Sequence, residues 1–97
     1  MLLKLIYLIA AALQLSLRRV ISGAQIRAAR ALLGWSQAKL ADEADLSEGS
    51  IKDIEAEATD PKRSTLQAIV KAFDKAGVMF LDAGIDRAGG PGVRLKR

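Results

Sequence analysis

The sequence predicts an all-α bundle of four short helices, with an extra apolar helix at the amino terminus and a small β-hairpin at the carboxy terminus. Three observations carry this. Serines stand as caps before apolar runs of helical period, glycines stand where those runs stop, and the pattern changes after Gly77. With 97 residues the chain has material for one modest core. The pattern divides it into an apolar extension over 1–20, a bundle over 21–77 and a tail of extended segments over 78–97.

The first helix of the bundle is predicted over 22–33. Ser22 and Gln25 have capping-box spacing, Ile26, Ala29 and Leu33 share a face, and Gly34 supplies the stop. Ser36 caps a second helix, Gln37 to Ala44, with Leu40, Ala41 and Ala44 inward. After the turn Asp45-Leu46-Ser47, Ser47 opens a third helix over 48–56, whose apolar side is Ile51 and Ile54. Residues 57–63 contain Thr59-Asp60-Pro61 and read as a loop. Ser64 and Gln67 form a second capping-box pattern, and Leu66, Ile69, Val70 and Phe73 give an amphipathic fourth helix ending at Gly77. Beyond it, Val78-Met79-Phe80-Leu81 and Val93-Arg94-Leu95-Lys96-Arg97 flank a glycine-rich connection, which predicts the hairpin; the alternative is a disordered basic tail.

Composition narrows the chemistry. Cysteine and histidine are both absent, which removes disulfides, Cys/His zinc sites, thiol nucleophiles and a histidine general base. No carboxylate pair has catalytic spacing and no glycine-rich phosphate loop follows a strand, so the expectation is a protein with no catalytic residue, metal, cofactor or small-molecule substrate. The net charge of +4 suggests nucleic acid, but it sits on the flanks. Residues 1–21 carry Lys4, Arg18 and Arg19, residues 22–77 carry eight bases against nine acids, and residues 78–97 carry four bases against two acids.

Leu40, Ala44, Leu46, Ile51 and Ile54, with small Ala41 between them, are what two short helices crossing steeply need: apolar faces across a turn, a plug at the corner, and room for close backbones. Here Gly34-Trp35-Ser36-Gln37-Ala38-Lys39-Leu40-Ala41, followed by Leu46-Ser47 and Ser50-Ile51-Lys52-Asp53-Ile54-Glu55, resembles the lambda-repressor-like (Xre/Cro type) helix-turn-helix domain. The resemblance covers about 21–77, and the tail through Gly-Pro-Gly-Val-Arg-Leu is similar to that of compact single-domain bacterial members.

The resemblance implies a cytoplasmic transcriptional regulator that binds duplex DNA as a homodimer on a two-fold-related site. It implies that Gln37 touches a phosphate and steadies the third helix, and that Ser47, Glu48, Gly49, Ser50, Lys52 and Asp53 form the base-reading edge. It further implies that Lys62 and Arg63 hold flanking phosphates, and that Arg30 and Glu55 form a partly buried ion pair between the first and third helices. The chain departs from the family pattern at Asp45 and Glu57, where members carry glycine, and by placing Glu48 and Asp53 where they would meet the groove. Carboxylates there are expected to lower affinity, although one can accept from cytosine N4. The rival reading is a helix-turn-helix used for protein association or dimerisation.

Residues 2–17 are nearly all apolar. Sixteen residues at about 1.5 Å each reach roughly 24 Å, short of a bilayer core of about 30 Å, and Lys4 interrupts the run. Lys4, Tyr7, Ala11, Gln14 and Arg18 make a narrow stripe of helical spacing, with leucine and isoleucine covering the rest. Four readings stay open: a helix docked on the domain, one pairing with its copy, a signal or membrane-surface segment over 2–19, and a misplaced start upstream of Val20.

Overall fold

The computed structural model describes residues 2–6, 8, 21–82 and 89–96. Helix α1 (Gly23–Leu33) begins with the full capping box: Ser22 Oγ accepts from the Gln25 backbone N–H, and Gln25 Oε1 accepts from the Ser22 N–H at 2.8 Å. It ends at Gly34 in the left-handed region (φ 67°), where the Gly34 N–H reaches the Ala31 carbonyl and the Trp35 N–H reaches that of Arg30. Helix α2 (Gln37–Ala44) is capped by Ser36 and helix α3 (Glu48–Glu55) by Ser47, each hydroxyl accepting a first-turn N–H.

The same double-bonded ending closes α2 and α3, but on acids. Asp45 (φ 57°) and Glu57 (φ 56°) take the left-handed position, with the Leu46 N–H reaching the Ala41 carbonyl and the Ala58 N–H reaching that of Asp53. Both positions demand the backbone glycine favours, and both tolerate the substitution at some local cost.

Helix α4 (Arg63–Lys75) starts two residues earlier than the Ser64/Gln67 pattern predicts. Lys62 occupies the cap without a side-chain bond, its carbonyl accepts from the Leu66 N–H, and Ser64 is already helical. The reason is apolar: Pro61 and Leu66 line one small recess, the spacing at which a residue before the cap staples to one in the first full turn. Residue 56 also lies just beyond α3, as its cap, rather than inside it.

Strands β1 (Val78–Leu81) and β2 (Gly92–Leu95) pair antiparallel, Val78 opposite Leu95 and Leu81 opposite Gly92. This is the predicted hairpin, and residues 83–88 that connect it lie outside the description. It packs against α1 and α4. One core unites all the elements: Ile26 and Ala29 of α1, Leu40, Ala41 and Ala44 of α2, Ile51 and Ile54 of α3, Ile69, Ala72 and Phe73 of α4, and Val78 of β1. Phe73 is the hub. Trp35 stacks on it at 5.5 Å between ring centroids, and Phe80 meets it edge-on at 5.6 Å. At the far end Lys96 pairs with Asp74, tying the hairpin's last residue to α4.

Gln25 does a second task that its cap spacing does not announce. Its side chain is buried, and Nε2 donates to the carbonyls of Leu81 (3.3 Å) and Gly92 (3.0 Å), pinning the loop end of the hairpin to α1. Gln25→Ala would leave both carbonyls short of a donor and remove half the capping box, so a loss of about 1–3 kcal/mol in urea denaturation is expected.

Residues 2–6 and 8 are helical and exposed, so these side chains do not dock on the bundle. The bundle offers them no seat: apart from Leu32 and Leu95, its large apolar side chains among the described residues are at least partly covered. The remainder of the predicted amino-terminal helix, residues 1, 7 and 9–20, lies outside the described residues. Among the described residues no helix is long and apolar enough to cross a membrane.

Candidate nucleic-acid interface

The sequence of α3 splits it into two faces. Ile51, Ile54 and Glu55 are buried, whereas Glu48, Gly49, Lys52 and Asp53 are exposed on the other side. Two apolar residues in eight would hold so short a helix poorly in water. Polar contacts from α1 and α2 make up the difference, and they converge on Glu55.

Glu55 is 3% exposed, and its carboxylate is met from two sides. Arg30 of α1 forks onto it, Nε donating to Oε2 at 2.7 Å and Nη2 to Oε1 at 2.8 Å, while the third donor, Nη1, reaches the Trp35 carbonyl at 3.0 Å. Gln37, at the first position of α2, donates from Nε2 to Oε1 at 3.2 Å. The hydrogen bonds that Arg30 donates to Glu55 raise its guanidinium above the ordinary value against the opposing effect of burial, so Arg30 stays charged.

Two further contacts complete the junction. Arg27 Nη1 donates to the Glu55 carbonyl at 2.6 Å, satisfying an acceptor at the carboxy end of α3, where a cation also suits the helix dipole. Glu57 Oε1 accepts from the Gly23 N–H at 2.6 Å, so the chain leaving α3 caps the start of α1. Gly23 allows this closeness, because a Cβ there would lie 2.2 Å from the Glu55 carbonyl oxygen. The residue types of Arg27, Glu57 and Gly23 gave no local hint of these roles, because their partners lie 28 and 34 residues away.

The expected site residues fall in three places. Ser47 and Ser50 sit at the amino end of α3, where Ser47 Oγ accepts from the Ser50 N–H at 3.1 Å and the two hydroxyls lie 2.8 Å apart, so both belong to the helix cap. Glu48, Gly49, Lys52 and Asp53 line the exposed face, and a side chain at Gly49 would meet open space. Lys62 and Arg63 are exposed at the start of α4, and Arg63 shares a recess with Ile54, which sets it beside the carboxy-terminal half of α3. Among the described residues no group of carboxylates could hold a metal ion.

Two short helices joined by a tight turn, the second with one face sealed and the other open, make the helix-turn-helix unit. The family model described as helix-turn-helix matches residues 26–77, more than half of the chain. The chain belongs to this helix-turn-helix family, of the phage-repressor-like, Xre/Cro kind. The match begins within α1 and ends at the glycine after α4, so it takes in the Arg30–Glu55 pair and Gln37 along with the helix-turn-helix itself. It supports a DNA-binding helix-turn-helix regulator in general terms. No curated protein matches the chain.

Proposed function

We propose that this helix-turn-helix protein is a sequence-specific, duplex-DNA-binding transcriptional regulator that reads the major groove with α3. The observation that carries it is the locking of α3: its buried face is held by Arg30, Gln37 and Arg27 through Glu55, while Glu48, Gly49, Lys52 and Asp53 are left open along the other face. A groove-reading helix needs that combination, since base contacts at hydrogen-bond distance require a fixed backbone behind them.

In this reading Gly49 lets the first turn of α3 come close to the duplex, and Lys52 supplies a cation on the same face. Gln37 has a second amide hydrogen for a phosphate while it holds Glu55. Lys62 and Arg63 take the flanking phosphates together with the free N–H groups of α4's first turn, which no side chain caps. The protein acts in the cytoplasm as a homodimer, each copy reading one half of a two-fold-related site.

The acids on the exposed face favour one second reading. Glu48 and Asp53 outnumber Lys52 there, and such a face suits a basic protein partner better than a phosphate wall. Gel-shift titration on the DNA upstream of the protein's own coding sequence separates the two. Selective binding that is orders of magnitude tighter than on random DNA, and weakens as salt rises, supports groove reading. Binding equal on both DNAs supports protein association.

A further inference from the structure

The amino-terminal leucines are the one large apolar surface that the bundle leaves uncovered among the described residues. Leu2, Leu3, Leu5, Ile6 and Leu8 are helical and between 57% and 81% exposed. With 3.6 residues per turn they spread over roughly 220° of the helix circumference, and Lys4 falls in the remaining sector. A seam against one partner helix covers a stripe only about 100° wide. A second copy of the helix would therefore leave most of this surface in water. A second copy of the bundle has no complementary face either, because Leu32 and Leu95 are its only exposed large apolar side chains among the described residues.

Charge points to the occupant. No acid stands before Asp42, and the cations within and just after the apolar run are Lys4, Arg18 and Arg19. The apolar run continues in the sequence to Leu17 and is followed directly by Arg18 and Arg19. It falls short of a bilayer span, and a short apolar helix followed by cations suits insertion along the surface, with apolar side chains among the acyl chains and cations at the headgroups. We propose that residues 2–8 insert into the surface of an anionic membrane, so that the helix-turn-helix domain is held at a lipid surface. This goes beyond the DNA-binding proposal and is tested separately from it.

The test is vesicle flotation of the full-length protein, with phosphatidylcholine alone and with equal parts phosphatidylcholine and phosphatidylglycerol, beside a Leu3→Glu/Ile6→Glu variant. The wild type is expected to float with the anionic vesicles, more weakly with the neutral ones, and the variant to lose more than about tenfold of the binding. The variant's melting temperature and gel shift should match the wild type's, which shows that the bundle is intact and keeps the outcome independent of DNA recognition. A wild type that stays at the bottom of the gradient with anionic vesicles overturns the proposal, and so does a variant that floats equally well. An oligomer in sedimentation that the variant dissolves, with neither protein binding vesicles, overturns it in favour of a second copy.

Discussion

Arg30→Ala is expected to lower the stability of the fold by about 3–5 kcal/mol, measured by urea denaturation. The cost is less the loss of an attraction than the state of the group left behind. Glu55 is 3% exposed and keeps only the Gln37 amide, while its second oxygen loses every donor. The Trp35 carbonyl loses its arginine donor as well, at the point where the chain turns from α1 toward α2. Replacing both partners, as in Arg30→Met/Glu55→Leu, removes the stranded charge and is expected to recover most of the loss. A loss below about 1 kcal/mol for Arg30→Ala would mean that water reaches the carboxylate and that the pair does not hold α3.

Gly23→Ala is expected to destabilise by about 3 kcal/mol, opposite in sign to the usual exchange. Inside a helix, alanine in place of glycine normally gains about 1 kcal/mol. Here the new Cβ would sit 2.2 Å from the carbonyl oxygen and 2.8 Å from the carbonyl carbon of Glu55, and backbone cannot swing aside as a side chain can. The start of α1 has to withdraw from the end of α3, which strains the Glu57 cap of the Gly23 N–H and the Arg27 bond to the same carbonyl. A gain in stability would show that the two helix ends stand further apart than described.

Both substitutions act on one junction, and the junction is what local patterns in the sequence expressed least well. Ser22 with Gln25, Ser36 and Ser47 declare their helices because a cap and the N–H it satisfies lie within three residues. Gly34 ends α1, and the two short extended runs that flank a glycine-rich connection after Gly77 announce the hairpin, for the same local reason. Arg27, Glu57 and Gln25 find their partners 28, 34, 56 and 67 residues away, which no periodicity encodes. The start of α4 went astray in a related way: a hydroxyl cap at Ser64 competes with the packing of Pro61 near Leu66, and packing prevails. The Arg30–Glu55 contact came from family resemblance and not from spacing, and the exposed face of α3 came from simple helical arithmetic.

The central claim is that the exposed face of α3 enters the groove, and its two acids test it. Glu48 lies in the first turn, where it suits the helix dipole, and Asp53 follows about a turn and a half later on the same open side. Both are exposed, so Glu48→Gln and Asp53→Asn leave the core untouched. Affinity is measured for each single variant on the upstream DNA and on random duplex at two salt concentrations. With α3 against the phosphate walls, each amide is expected to tighten binding to random DNA, by an amount that shrinks as salt rises. An acid that accepts from cytosine will in addition lose about 1–3 kcal/mol on its specific site when amidated. If neither substitution changes binding to either DNA at either salt, α3 is not in the groove.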